Sequence, residues 1–364
     1  MMKNSKILTR RIQLLINSSD KILRNEYYSK LFLWQNIVFR GANMIIAHQY
    51  MQENIKDLIY LQDDVILKLA DRSKEPNGIL NTSRLNTTYK VLSLHFKGQI
   101  PTDIISNLNV HLIKKFNAER SDYWKGIKTI KNHKRTMPIP FSGKRLKLIE
   151  SENQRDFNFT LFKIPFKTYL GKDRSDKRLL LKKAMNNELK ICSSFLQMVD
   201  GKIFLLLALE MPIIKVDLKP YLIAEASLSI EYPITVKIGN KQFQIGTKED
   251  FLYRRLAIQS SYNRLRKIAT YNNGGHGKKK KLKCVTRLST NEKHYVESKL
   301  HLYSRKLIDI CIQAKSGTIL LVNQTQNQEL AKENAFLLRN WSLNGLVEKI
   351  KYKAEMVGIN VIIE

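Results

Sequence analysis

The amino-acid sequence predicts an α+β protein of several domains, because its hydrophobic pattern changes character twice along the chain. Apolar residues recur at helical spacing from about 27 to 125, whereas short apolar runs divided by charged turns fill 136–215. Strand-like and helix-like segments alternate from 216 onward. At 364 residues, of which 43% are apolar, the chain is long enough for two or three hydrophobic cores.

The first 25 residues are predicted to supply a strand. Residues 6–17 combine basic and apolar side chains and end at a polar turn, and we expect this strand to complete the later β domain. Helices are expected over 26–135, because Leu31, Trp34 and Val38 recur at three- and four-residue spacing. Pro76-Asn77-Gly78 interrupts this pattern before two further helices.

Residues 136–215 are predicted to form an antiparallel, barrel-like β domain. Pro138 and Pro140 argue against a helix at its start. Short apolar runs follow, such as Phe159–Phe166, and two more flank the turn Asp200-Gly201-Lys202, which predicts a β-hairpin.

Residues 216–364 are predicted to form an α/β domain with the element order β-β-β-α-α-β-α-β. Gly239-Asn240 is the expected turn between the second and third strands, and Gly317–Val322 has the composition of a buried strand. A loop rich in glycine and lysine over 272–283 separates the two central helices.

The charge balance indicates a polyanionic partner. The chain has 63 Lys and Arg against 32 Asp and Glu, a net charge of +31 that is spread along the whole sequence. Nucleic acid is the expected polyanion, because phosphate neutralisation rewards many separate positive charges. An anionic membrane is the rival partner, but it is not expected, because the positive charge is not gathered on one amphipathic segment. No apolar run reaches the roughly 20 residues that cross a bilayer. Cys192, Cys284 and Cys311 form no CxxC pair, which favours a cytoplasmic protein without zinc.

Several short motifs in the last 94 positions occur in a characteristic order. They are Gly274-Gly275-His276-Gly277 with the lysines after it, Tyr303-Ser304-Arg305, Gly317-Thr318-Ile319, Asn340-Trp341-Ser342, Tyr352-Lys353-Ala354-Glu355 and Gly358-Ile359. Together they resemble the RuvC-like (RNase H-like) nuclease domain of miniature type V (type V-F-like) CRISPR effectors and their TnpB relatives. The resemblance implies an inserted helical recognition lobe at 26–135, a wedge β-barrel at 136–215 with 1–25, and a RuvC-like domain at 216–364.

The same resemblance exposes departures at the catalytic positions. The family holds its metal ions with an Asp, a Glu and a final Asp, because hard cations need anionic oxygen ligands. Ser227 stands at the first aspartate, and Val322, or Asn323 in a register shifted by one, stands at the glutamate. The third motif and the zinc-ribbon cysteines are expected after Ile363, where the sequence ends. We therefore expect a nuclease-dead, C-terminally truncated member without catalytic Mg²⁺ or zinc.

The candidate nucleic-acid contacts are basic and aromatic residues of the expected β-barrel, its entry, one basic helix and the lysine-rich loop. They are Arg10, Arg11, His133, Lys134, Arg135, Lys144, Arg145, Lys147, Arg254, Arg255, Arg264, Arg266, Lys267, Tyr271, His276, Lys278, Lys279, Lys280, Lys281, Lys283 and Arg305. A solvated charge cluster is the alternative interpretation of the lysine run.

These features predict a bacterial, nucleoid-associated protein that binds a guide RNA and double-stranded target DNA without cutting, and so regulates transcription. The resemblance implies recruitment of an alternative sigma factor with RNA polymerase as the favoured mode, and repression by promoter occlusion is the alternative. A metal-dependent nuclease with rewired ligands, using Glu225, and an RNA-binding scaffold that never meets DNA are the other hypotheses. A second copy of the chain is a further expected partner.

Overall fold

The computed structural model describes residues 5–60, 84–171, 175–213, 216–229, 231–271, 283–322 and 343–364. The chain forms two compact units, Ser5–Met211 and a second one that spans Pro212–Glu364. Within the described ranges, no helix combines the length and the hydropathy that crossing a bilayer requires.

The first unit combines a sheet with helices. Its strands are β1 (Ser5–Ile16), β2 (Ile139–Phe141), β3 (Ile149–Glu150), β4 (Phe157–Leu161), β5 (Ile164–Tyr169), β6 (Lys190–Ile191), β7 (Ser194–Val199) and β8 (Lys202–Pro212). Its helices are α1 (Lys21–Tyr60), α2 (Arg84–Phe96), α3 (Thr102–Trp124) and α4 (Lys177–Met185). The strand order is β2-β7-β8-β1-β5-β4-β3, and β6 pairs with β8.

The N-terminal strand lies in the middle of this sheet. β1 has β8 on one side and β5 on the other, and it pairs with β5 in antiparallel register from Gln13 opposite Tyr169 to Ile16 opposite Phe166. The predicted hairpin is confirmed, because Val199 pairs with Lys202 across the turn between β7 and β8. Closure of the sheet into a barrel stays a prediction.

Two local features of this unit differ from the predictions. The segment Phe159–Phe166 is not one apolar run, because a two-residue turn divides it between β4 and β5. Helix α4 was not expected within the β segment. Its buried side chains Leu180, Leu181 and Ala184 follow helical spacing, but the run is short and its burial comes from tertiary packing.

One contiguous hydrophobic core holds the helices and the sheet of the first unit together. Alternate β1 residues such as Ile12 and Leu14 are buried in the same cluster as Leu31 of α1 and Leu108 of α3. Strand alternation and helical spacing thus direct apolar side chains to a common interior.

The second unit contains a mixed sheet. Its strands are β9 (Lys219–Ser227), β10 (Ile234–Ile238), β11 (Lys241–Ile245), β12 (Ser316–Val322) and β13 (Asn360–Ile363), and its helices are α5 (Lys248–Tyr271), α6 (Lys283–Gln313) and α7 (Leu343–Val357). The strand order is β11-β10-β9-β12-β13. β10 is antiparallel to β9 and β11, whereas β12 is parallel to β9 and β13. The described elements follow the predicted order β-β-β-α-α-β-α-β.

One face of this sheet carries the core of the second unit. Ala224 and Ala226 of β9 are buried in a cluster with Leu307 of α6 and Ile350 of α7. Because side chains alternate along a strand, Glu225 and Ser227 lie on the opposite face.

Candidate nucleic-acid interface

Ser227 and Val322, which the resemblance aligns with the acidic ligands of the family, meet at one edge of the second sheet. Ser227 ends β9, Val322 ends β12, and the two residues are partners in the parallel register. Neighbouring strands lie about 4.8 Å apart, so these side chains are adjacent on the face opposite the core. This adjacency favours Val322 over Asn323 as the residue that stands at the second ligand position.

The residues at this edge do not fit a centre for divalent metal ions. Ser227 offers a neutral hydroxyl and Val322 a hydrocarbon, whereas Mg²⁺ takes anionic oxygen ligands. Among the residues that the structure describes, no three His, Cys, Asp or Glu side chains are grouped closely enough to hold a metal ion.

Glu225, the candidate for a relocated ligand, has no acidic neighbour on the adjacent strands. Its register partners are Lys237 of β10 and Leu320 of β12. Glu225 and Lys237 are both exposed on the same sheet face. The carboxylate is therefore placed beside an amino group and not beside a second carboxylate.

The first unit contains a pocket of about 620 Å³ lined by four cationic side chains, here called the basic pocket. Three of them, Lys144, Arg145 and Lys147, were predicted contacts, and the fourth is Lys163 at the turn between β4 and β5. All four residues are exposed. Arg145 lies 3.6 Å from the Asp103 carboxylate, whereas the three lysines have no ion-pair partner among the described residues. Three uncompensated ammonium groups around one cavity have the charge and hydrogen-bond donors that a phosphate group requires.

Two backbone features shape the basic pocket. The short 3₁₀ turn Gly143–Arg145 passes so close to β6 that a Cβ at Gly143 would lie 2.3 Å from the carbonyl oxygen of Ile191. On the opposite side, Phe162 and Lys163 both have left-handed backbone angles, with φ of 53° and 64°. Such a conformation costs about 1–2 kcal/mol for each non-glycine residue.

The strained turn is held by packing. The Phe162 ring meets the Trp34 ring edge to face, with centroids 5.8 Å apart. This contact fixes the turn and places Lys163 beside the other cations. Sequence reasoning missed Lys163 because two-residue hairpin turns are normally recognised by Asn or Gly, and neither is present.

Arg10 and Arg11 on β1 make different interactions. The Arg10 guanidinium donates to the Asp176 carboxylate at 2.9 Å. The exposed Arg11 guanidinium lies over the Phe204 ring of β8, 3.8 Å from its centroid. Arg11 is therefore the more accessible of the two cations.

The segment after α3 carries His133, Lys134 and Arg135, and the last two are exposed. The Asn43 side chain anchors this segment: it accepts from the His133 backbone N–H at 2.8 Å and donates to its carbonyl at 3.3 Å. His133 and Lys134 line a pocket of about 440 Å³, here called the histidine pocket, which also includes His111, Lys115, Phe195 and Gln197.

Helix α5 presents its basic residues in two environments. Arg255 is buried, and its Nε donates to the Glu292 carboxylate of α6 at 2.9 Å, so it joins two helices and does not lie on the predicted surface. Arg254 is exposed, with its guanidinium 5.4 Å from the Tyr295 ring centroid. The remaining predicted residues of α5, Arg264, Arg266 and Lys267, are exposed, and two of them line a shallow groove of about 340 Å³.

Two of the sequence motifs come together between α6 and α7. The Lys353 ammonium donates to the Ser304 hydroxyl at 2.9 Å and also to the His301 carbonyl. Burial, aided by repulsion from Arg305 and Lys349, lowers the pKa of Lys353 to about 8. Arg305 itself is exposed and pairs with Asp309 at 2.9 Å.

Some predicted residues cannot be placed in this geometry. Asn323, His276, Lys278, Lys279, Lys280 and Lys281 lie outside the described residues. Tyr271 is the last residue of α5, and Lys283 is the first residue of α6. Nucleic-acid contact by the predicted residues stays a prediction.

Comparison with known proteins gave no matching family model. Three curated relatives share the name CRISPR-associated endodeoxyribonuclease Cas12f1. The relative from Sulfoacidibacillus thermotolerans is 32% identical over 117 residues, which is 32% of this chain and 27% of that protein. The one from Syntrophomonas palmitatica is 32% identical over 88 residues, 24% of this chain and 17% of that protein. The one from an uncultured archaeon is 22% identical over 362 residues, 92% of this chain and 66% of that protein.

These matches span less than two thirds of the relatives' own lengths. A solved structure, a Cas12f1-sgRNA-target DNA complex, has a TM-score of 0.67 and 15% identity, and the match covers 99% of this chain and 89% of that one. This likeness confirms the predicted α+β fold class. Together, the three relatives and the shared fold confirm the resemblance seen in the motifs. The curated relatives and the shared fold both identify the miniature type V CRISPR effectors as the proteins that this chain resembles.

Proposed function

We propose that this protein is an RNA-guided DNA-binding effector that holds its target without cutting it and thereby regulates transcription. The observation that carries the proposal is the pairing of Ser227 with Val322 at adjacent strand ends. At the positions where family members hold catalytic metal ions, this chain has two uncharged side chains. Phosphodiester cleavage would lack most of its electrostatic stabilisation there.

Guide RNA and target DNA are the partners that the surface chemistry supports. The net charge of +31 and the three uncompensated lysines of the basic pocket favour a phosphate backbone. The solved structure with the same fold is a complex with sgRNA and target DNA. In such complexes, base pairing with the guide reads the sequence, and the protein holds the heteroduplex by its shape and backbone.

The domain roles follow the family resemblance. We interpret α1–α3 as the recognition lobe, the sheet of the first unit as the wedge domain, and the five-stranded mixed sheet as the RuvC-like domain. Within this scheme, the basic pocket belongs to the wedge domain. An inactive RuvC-like domain would then serve to hold nucleic acid.

A protein that occupies a chosen DNA site and leaves it intact is suited to transcriptional control. Recruitment of an alternative sigma factor with RNA polymerase is the mode suggested by the family resemblance, and promoter occlusion is the alternative. Transcript levels downstream of a guide-matched promoter separate them, because recruitment raises those levels and occlusion lowers them.

The proposal is tested by purifying the protein with its bound RNA, sequencing that RNA, and presenting matched and mismatched DNA duplexes. We expect the protein to bind the matched duplex in a guide-dependent manner. Both DNA strands should remain intact after incubation with Mg²⁺ or Mn²⁺. Metal-dependent cutting that is lost on Glu225→Ala would instead establish the rewired nuclease. Protected RNA without occupancy of any duplex would establish the RNA-binding scaffold.

A further inference from the structure

The histidine pocket has the size and lining of a ligand site. It lies between the segment after α3 and the outer face of β7 and β8, and its volume of about 440 Å³ falls in the range of small-molecule sites. Its apolar wall includes Pro138, Phe195 and Leu206. The pocket belongs entirely to the first unit.

The wall of the pocket includes a π-surface. Phe195 is partly exposed, and its ring meets the His111 imidazole edge to face, with centroids 5.3 Å apart and planes at 74°. Unstacked nucleobases pack on the rings of Phe, Tyr, Trp and His in single-strand recognition.

The polar groups in the pocket can read the edge of a base. The Nε2 atom of His133 is buried and has no hydrogen-bond partner in the described part of the chain, although Asn43 fixes the backbone of this residue. A buried polar atom without a partner is unfavourable, and a hydrogen bond to a bound ligand would remove that cost. Burial, reinforced by Lys115, lowers the pKa of His111 and His133. Neutral imidazoles each offer one donor and one acceptor, and the Gln197 amide offers both.

Positive charge surrounds the same pocket. Lys115 and Lys134 belong to its lining and are exposed. These features match the three parts of a nucleotide. The aromatic surface suits the face of a base, the neutral donors and acceptors suit its edge, and the outer ammonium groups suit its phosphate.

We propose that the histidine pocket binds one unstacked nucleobase of a single-stranded nucleic acid, with the adjoining phosphate against Lys115 and Lys134. The base packs on Phe195, and His133 and Gln197 bond to its edge. This inference rests on the proposed nucleic-acid function and adds a specific base site to it. The base has two possible sources, a loop of RNA or a displaced strand of DNA.

Photocrosslinking of the full-length protein tests the proposal. The probes are short single-stranded oligonucleotides that carry one thiolated base, 4-thiouridine in RNA and 4-thiothymidine in DNA. Crosslinks are expected on the peptides that contain Phe195 or His111, and the RNA and DNA probes compete to identify the source. Phe195→Leu keeps apolar volume but removes the π-surface, so it should lower the yield at this site about tenfold.

The matched control is Tyr253→Leu, which removes an aromatic ring that is 80% exposed on α5. It should leave the pocket crosslinks unchanged. If Phe195→Leu lowers the thermal stability, Gln197→Leu serves as the second variant, and it should reduce the same crosslinks. Crosslinks elsewhere, with both oligonucleotides still bound, would overturn the base site alone. Absence of all RNA and DNA binding would overturn the proposed function together with it.

Discussion

Neutralising the basic pocket should weaken nucleic-acid binding by an amount that the structure allows us to calculate. The change is Lys144→Gln, Lys147→Gln and Lys163→Gln in one protein. Arg145 is left in place because the Asp103 carboxylate, 3.6 Å away, already compensates part of its charge. The three lysines are exposed and have no ion-pair partner among the described residues, so each can neutralise one phosphate.

Each lost phosphate contact removes about 0.9 from the slope of log K against log salt for duplex DNA and about 0.7 for a single strand. Three contacts thus lower that slope by roughly 2–3. At a salt concentration of about 0.15 M, the affinity should fall about 150-fold for a duplex and about 50-fold for a single strand. Near 1 M salt, the difference between variant and parent should disappear.

The assay is filter binding of the purified protein to labelled RNA and DNA across a salt series. Three exposed lysines outside the pocket, changed as Lys97→Gln, Lys125→Gln and Lys202→Gln, give a control with the same net charge. If this control lowers the slope as much as the pocket variant does, binding depends on net charge alone. That result would refute the assignment of the pocket.

Three further predictions concern the second unit. Ser227→Asp with Val322→Glu places two carboxylates on adjacent strands. Their mutual repulsion should lower the Tm by about 2–4 °C, and Mn²⁺, by binding both carboxylates, should restore it. Lys353→Met should remove a contribution to the unfolding free energy that grows as the pH rises above about 8, because the unfolded parent keeps the Lys353 proton that the folded parent loses. The difference in unfolding free energy between parent and variant, measured by chemical denaturation at several pH values, isolates it from the opposite contribution of the buried Cys311 thiol, whose pKa is raised to about 12. Arg255→Met should destabilise the protein by less than the roughly 3–5 kcal/mol of a fully buried pair, because Glu292 is partly exposed, and should spare RNA affinity.

Each of these variants has a matched control. Ser227→Asp with Gln244→Glu puts the two carboxylates on strands separated by β10, so Mn²⁺ should not raise its Tm. Lys351→Met, at an exposed position of α7, should keep the pH dependence of the parent. Arg254→Met should leave the stability nearly unchanged. Equal Mn²⁺ rescue in both carboxylate variants, or RNA binding lost only with Arg255→Met, would contradict the placement of these residues.

The order of elements was predictable where the sequence marks it with turns and regular spacing. Asp200-Gly201 and Gly239-Asn240 supply residues that tolerate hairpin turns, and the structure has hairpins at both. The turn at Phe162-Lys163 was missed because its geometry is imposed by the contact with Trp34, far away in the sequence. Long-range packing of this kind leaves no local signal.

The candidate site shows the same limit. The resemblance to the family's motifs singled out Ser227 and Val322, with Asn323 as the alternative to Val322, and the pairing of the first two became visible only in the parallel strands of the structure. The basic character of Arg255 suggested a surface residue. Helix spacing alone could not show that its guanidinium donates a hydrogen bond to the Glu292 carboxylate of α6. Lys163 and the partners of the histidine pocket became visible only through tertiary contacts.

The central position of β1 has a consequence for synthesis and for shortened variants of the protein. This strand leaves the ribosome before its partner β5, which follows only after α1, α2 and α3 have been made. Until then β1 has no strand partner and remains an open edge, so nascent chains and fragments that stop after α3 should attract chaperones or aggregate. Removal of β1 would in turn split the sheet through its middle and leave two new edges. A miniaturised version should therefore keep β1 (Ser5–Ile16), although this strand lies far in the sequence from the other strands of its sheet.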